Sequence, residues 1–97
     1  MITTMAFNLK YHIAIQRVDL PKIDARNRLI IKTAIEDRLV SHPEIYGKPL
    51  RRTLKGYWKL RVGNYRVVFK ISGNEIFIFG IIHRKKVYQQ VKKRIAL

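Results

Sequence analysis

The sequence predicts an α+β fold: an N-terminal strand, a short helical segment and a helix, then a three-stranded antiparallel meander and a C-terminal helix. Three observations carry this prediction. Apolar residues alternate through "GYWKLRVGNYRVVFK" and run almost unbroken through "EIFIFGII", with Gly63-Asn64 and Gly73-Asn74 as short hairpin loops. Residues 25–41 instead place Leu29, Ile30, Thr33, Ala34, Leu39 and Val40 near a helical period, widened by Ile31 and Ile35. The tail "VYQQVKKRIAL" sets Val87, Val91 and Ile95 in line on one helical face.

Taken in chain order, "FNLKYHIAI" alternates as a first strand over residues 7–11, followed by a short turn or helical stretch. Pro21 in "DLPKID" interrupts that stretch, since proline is tolerated only in a helix's first turn. Asp24 is placed to cap the next helix, with Ile23 before it as a staple residue. "SHPEIYGKP" ends that helix: Pro43 disfavours helix at His42, and Gly47-Lys48-Pro49 adds turn chemistry. Three strands follow, at 56–62, 65–72 and 75–83. A two-residue loop at Gly63-Asn64 sets Trp58 opposite Phe69 and Leu60 opposite Val67, an apolar face suited to packing on the helix. The other face then carries Tyr57 with Lys70, Lys59 with Val68, and Arg61 with Arg66. The third strand is apolar at both parities, as in a strand buried on both faces. Gly80 within it marks a bulge or a close backbone approach. The expected architecture is one domain spanning residues 1–97, its antiparallel sheet covered on one face.

Charge restricts the function. Twenty-one Lys and Arg against six Asp and Glu give a formal net charge of +15, and Glu75 is the only acid from residue 48 onward. A solvated surface normally mixes signs, so this excess asks for a polyanion, either nucleic acid or an acidic protein. No apolar run approaches the roughly 20 residues that cross a bilayer, so no membrane partner is expected. The first residues lack the basic start and apolar middle of a signal peptide, and there is no cysteine. A cytoplasmic protein is the expectation.

Conventional catalytic sets are missing from the sequence. His12, His42 and His83 lie too far apart to form a metal site by spacing, so no metal or other cofactor is expected. Cysteine nucleophiles are excluded, no serine sits in a nucleophile elbow, and "GKPLRR" lacks the glycine spacing of a phosphate loop. What remains is cationic. Lys59, Arg61, Arg66 and Lys70 share one hairpin face, near Arg51, Arg52 and Lys55 on one side and His83, Arg84, Lys85, Lys86 and Tyr88 on the other. Such a face suits a phosphate backbone, with arginine giving bidentate bonds and Tyr57 or Tyr88 stacking on an unpaired base. The plainer alternative is that long basic side chains only snorkel around a small sheet. One parity stays open. A two-residue loop at Gly73-Asn74 puts His83 on the basic face and Arg84 on the apolar one, unless a bulge at Gly80 or strand termination re-aims Arg84.

The string "YGKPLRRTLKGYWKLRVGNYRVVFKI", continuing into "IFGIIHRKKVY" and back through "DLPKID", resembles the RelE/ParE superfamily of bacterial and archaeal type II toxins. The resemblance covers nearly the whole chain. It implies a RelE-like toxin fold, with helices packed on a twisted antiparallel sheet, and a cognate acidic antitoxin held in a hetero-oligomer. RelE-like members cleave messenger RNA in the ribosomal decoding site, where a ribose 2′-hydroxyl attacks the adjacent phosphate; the products are a 2′,3′-cyclic phosphate and a 5′-hydroxyl. ParE-like members inhibit DNA gyrase instead. By this resemblance Lys59 is a base or phosphate stabiliser, Arg66 holds the phosphorane, Arg84 is the acid for the leaving oxygen, and Tyr88 orients or stacks a nucleotide. His83 is an alternative acid, because arginine scarcely gives up its proton. In one respect the chain departs from the RelE pattern: Tyr57 stands where the first of two alternate lysines is expected, and Lys55 is the candidate substitute. Retention of Lys59, Arg66, Arg84 and Tyr88 favours the nuclease, so the ribosome and mRNA are the expected partners besides the antitoxin.

Overall fold

A computed structural model describes residues 7–51 and 54–96. Strand β1 (Asn8–Tyr11) leads into a π-helical stretch (Ile15–Asp19) and a 3-10 turn (Leu20–Lys22) whose proline sits in the first turn, where its missing N–H is not needed. Helix α1 (Ala25–Ala34) is capped by Asp24, which accepts from the Asn27 backbone N–H at 2.8 Å. That bond, and a second from the Asn27 side chain, hold the Asp24 carboxyl below the usual carboxylate range. The helix runs on into a π-helical turn (Ile35–Leu39). A short α2 (Pro43–Tyr46) precedes β2 (Lys48–Pro49), and β3 (Trp58–Val62), β4 (Tyr65–Ser72), β5 (Glu75–His83) and α3 (Val87–Ile95) complete the chain.

The sheet has five strands in the order β1-β5-β4-β3-β2, with β1 parallel to β5 and the other pairs antiparallel. The sequence suggests turn chemistry at Lys48-Pro49, yet these residues pair with Lys59 and Trp58. Proline is compatible with that position because it is an edge strand. The first hairpin follows the expected register: Trp58 faces Phe69, Leu60 faces Val67, and Arg61 faces Arg66. Gly63 takes a φ of 58°, the left-handed value that the first position of a two-residue loop requires.

Both sheet faces are covered, rather than one. On the first, Ile31, Ala34, Ile35 and Leu39 pack on Leu60, Val67, Phe69, Ile76 and Ile78. These helix positions are three or four residues apart and define a narrower stripe than expected, leaving Leu29, Ile30 and Thr33 exposed. On the second face, Val87 and Val91 of α3 join Leu50 and Leu54 over Val68, Phe79 and Ile82. This second core is what the apolar run of β5 required; Ile95, the third residue in the α3 line, stays outside it at 43% exposure.

The β4–β5 ladder breaks once. Phe69 pairs with Ile78 and Val68 with Gly80, so Phe79 is an extra, unpaired residue. Strand β1 accompanies β5 only through Ile78, and the edge beyond it needs other partners. Asp19 and Arg94 supply them. Arg94 Nη1 donates to the Phe79 carbonyl at 2.9 Å, and the Ile81 N–H donates to Asp19 Oδ2 at 2.9 Å. The two side chains close on each other through bidentate bonds of 2.8 and 2.9 Å, both almost wholly buried. Gly80 leaves room for them: a Cβ there would stand 3.0 Å from Arg94 Nη1.

Removing one partner of such a pair strands a buried charge. Arg94→Ala should therefore cost about 3–5 kcal/mol of unfolding free energy, measured by urea titration. The Asp19→Ala/Arg94→Ala double variant should lose less than the sum of the single losses.

Candidate functional site

The bulge decides which residue of "HR" faces the cations. Beyond Phe79 the register pairs Arg66 with Ile82 and Tyr65 with His83. Side chains alternate along a strand, so Arg84 falls on the face of Ile82 and Arg66. The Arg84 N–H donates to the Asn64 carbonyl at 2.8 Å, tying this end of β5 to the β3–β4 loop. His83 points the other way, edge-on to Tyr65 with ring centroids 5.8 Å apart, and lines a different cavity with Asp19 and Gln90. Of the two proton donors left open by the sequence, only Arg84 reaches the basic cleft.

That cleft encloses about 410 Å³ and is lined by Lys59, Arg66, Arg84, Lys85, Val87 and Tyr88. Strand β3 supplies Lys59, β4 supplies Arg66, and the turn after β5 brings Arg84 and Lys85. Helix α3 carries Tyr88 in its first turn, placed by the burial of Val87 and Val91. Two cations approach the Tyr88 ring, with Arg51 Cζ 4.6 Å and Lys59 Nζ 6.0 Å from its centroid. Such contacts favour the cations and hold the ring in place.

Among the described residues no carboxylate lines the cleft. Glu75 lies toward the opposite end of β5, 4.0 Å from Lys10. Burial first, and then the charges of Arg61 and Arg84, push Arg66 below the ordinary arginine value. A lowered value on a basic group means that its charge opposes folding, and that cost persists at every pH below the arginine range. Arg66 Nη1 donates to the carbonyls of Gly63 at 3.0 Å and Tyr65 at 2.9 Å. Its Nε and Nη2 form no bond to a described residue, which leaves one edge of the guanidinium for a bidentate anion.

The other residues named from the sequence are distributed around this centre. Arg61 is exposed beside Arg66; Arg51 stacks on Tyr88. Lys55 is exposed in the turn before β3 and does not line the cleft. Tyr57 also stands off from the cleft, against Phe79 and under Lys70. Lys86 lines the His83 cavity instead. Arg52 lies outside the described residues. Two features escape sequence reasoning. The Asp19–Arg94 pair has no local signature, and the packing of Phe77, Phe79 and His12 depends on β1 lying beside β5. A larger apolar cavity of about 660 Å³ lies on the α1 side of the sheet, among Tyr11, Ile15, Ile31 and Ile35, away from the cationic cleft. Among the described residues no His, Asp or Glu cluster fits a metal ion, and no helix is long and apolar enough to cross a membrane.

Fold and site thus define a small basic α+β protein with a cluster of cations around a cleft on one sheet face. The family described as ParE toxin of type II toxin-antitoxin system matches residues 14–88. Toxin RelE3 of Methanocaldococcus jannaschii is 33% identical over 73 residues, covering 72% of this chain and 83% of that toxin. Toxin RelG of Mycobacterium tuberculosis is 34% identical over 77 residues, covering 76% and 87%. Among solved structures, the RelBE2 toxin-antitoxin complex of Mycobacterium tuberculosis superposes with a TM-score of 0.68 at 29% identity, covering 81% of this chain and 99% of that one. A RelB-RelE complex from Methanococcus jannaschii shares the fold, with a TM-score of 0.65 at 24% identity over 84% and 96%. The chain belongs to the RelE/ParE superfamily of type II toxins.

The opposed Arg61 and Arg66 make a measurable prediction. Arg61→Thr should raise stability at low salt by up to about 1 kcal/mol, and the gain should shrink as salt rises. Urea titrations at two ionic strengths read both effects.

Proposed function

We propose that the protein is an mRNA endoribonuclease, the toxin of a toxin-antitoxin pair that cuts message on the ribosome by 2′-hydroxyl attack. The observation that carries this reading is the cleft in which Lys59, Arg66, Arg84, Lys85 and Tyr88 meet, with no carboxylate among the described residues that line it. A site of fixed cations is suited to a phosphorane, where negative charge grows as the reaction proceeds. The free edge of Arg66 holds the non-bridging oxygens. Lys59 takes the 2′-hydroxyl proton as the bond from O2′ to phosphorus forms. The bond from phosphorus to O5′ then breaks, with Arg84 hydrogen-bonded to the departing oxygen. A guanidinium hardly gives up a proton, so Lys85 in the same cleft supplies the proton to O5′. Tyr88, in contact with Arg51 and Lys59, stacks on a nucleotide beside the scissile bond.

The antitoxin follows from charge and kinship. A toxin of +15 suits an acidic partner, and the structural relatives include toxin bound to antitoxin. The ParE description of the matching family favours a second reading, inhibition of DNA gyrase, which needs no nuclease site.

End-mapping of mRNA in a translation extract tests the proposal. The expected products are codon-positioned cuts ending in 2′,3′-cyclic phosphate, undiminished by EDTA beyond the effect of magnesium loss on the ribosomes. Arg66→Ala and Arg84→Ala should each lower the cutting rate by at least about 10²-fold while the domain stays folded. Intact message, together with accumulation of cleaved plasmid DNA in a gyrase assay, would establish the second reading instead.

A further inference from the structure

The sheet face that carries the cleft has a second feature at its other end. Lys70 lies on β4 four residues beyond Arg66, and Tyr57 precedes Lys59 and Arg61 on their side of β3, so all share one face. In register with Lys70 on β5 is Phe77, and in register with Phe77 on β1 is Lys10. Across β1, β5, β4 and the residue just before β3 the order is therefore Lys10, Phe77, Lys70, Tyr57: cation, ring, cation, ring. The rings are continuous. Tyr57 lies 5.0 Å from Phe79, Phe79 lies 6.2 Å from Phe77, and His12 stands edge-on to Phe79 at 5.2 Å. Lys70 Nζ sits 4.9 Å from the Tyr57 centroid.

Internal packing accounts for only part of this row: Tyr57 and Phe77 lean on the second core, yet neither is fully buried. Phe79 is buried, but Tyr57 and Phe77 keep part of their surface in water, and Lys70 is exposed with no carboxylate partner among the described residues. Partly exposed rings alternating with lysines are the composition of a platform for unpaired bases, in which rings take the bases and cations take the phosphates. The row stands about 13 Å from the Arg61–Arg66 pair, four residues of strand, with Lys59 between them. Glu75 limits the row on the far side, where it engages Lys10 at 4.0 Å and repels phosphate.

We propose that this row is a separate subsite for single-stranded RNA, stacking bases that flank the phosphate held in the cleft. It rests on the nuclease reading for its direction along the message, but not for its ability to bind. An acidic protein segment would match the lysines and leave the rings without a role, so RNA is the favoured occupant.

The test uses a fluorescein-labelled octauridylate with 2′-O-methyl riboses, which cannot be cut, and a trinucleotide of the same chemistry that spans the cleft alone. Phe77→Leu removes a stacking face while keeping an apolar side chain, and Lys70→Gln removes an exposed charge. Each should weaken octanucleotide binding by about five- to tenfold and leave the trinucleotide unchanged. Lys70→Gln should also lower the salt slope by about 0.7. Unchanged octanucleotide affinity in both variants would overturn the proposal, as would an equal loss for the trinucleotide. So would an equal loss of decaglutamate binding in Phe77→Leu, because that peptide carries charge and no ring. The probe reports binding apart from chemistry: octanucleotide binding that depends on Phe77, in a protein that leaves mRNA intact, would sink the nuclease reading alone.

Discussion

Phe79 is one residue more than the β4–β5 ladder can pair, and the rest of the molecule is arranged around that surplus. The bulge reverses the facing of every later residue in β5, which brings Arg84 beside Arg66 and turns His83 toward Tyr65. It also leaves a carbonyl to be satisfied at an edge that β1 does not cover. Arg94 meets that need and is itself neutralised by Asp19, 75 positions away in sequence. The same bonds dock α3 on the sheet, and α3 carries Tyr88 into the cleft. One unpaired residue thus links the closing of the fold to the assembly of the site.

The cleft is costly in the empty protein. Arg61, Arg66 and Arg84 crowd one another, and burial adds to the penalty on Arg66. A carboxylate would relieve the crowding, but none among the described residues lines the cleft. The cations are held in place by weaker means: the Gly63 and Tyr65 carbonyls for Arg66, the Tyr88 ring for Arg51 and Lys59. Such groups fix the positions of the charges without cancelling them, which is the condition for stabilising charge that appears only during a reaction. The +15 of the chain extends this field over the surface and draws polyanions toward it.

Much of this is legible in the sequence, for local reasons. The hairpin register follows from Gly63-Asn64, because a two-residue loop leaves little choice of pairing, and the opposition of Arg61 and Arg66 follows from that register. The bulge is foreseeable at Gly80 but its outcome is not, since β5 is apolar at both parities and no pattern marks which residue is unpaired. The helical period suggests too wide a stripe: Leu29 and Ile30 fit it but face solvent, while Ile31, Ala34, Ile35 and Leu39 meet the sheet. The Asp19–Arg94 pair leaves no trace, because its two halves sit in segments that each look like ordinary polar surface. The parallel place of β1 beside β5, which builds the row of rings, likewise depends on tertiary structure that no short string encodes.

The central claim is that the bulge delivers Arg84, and not His83, to a phosphate seated on Arg66. Nuclear magnetic resonance titration of the side chains with uridine 2′,3′-cyclic phosphate tests it directly. The account predicts shifts at the guanidinium resonances of Arg66 and Arg84 and at the ring of Tyr88, with the His83 and Tyr65 rings unmoved. Saturable shifts at His83 with Arg84 unaffected would contradict it.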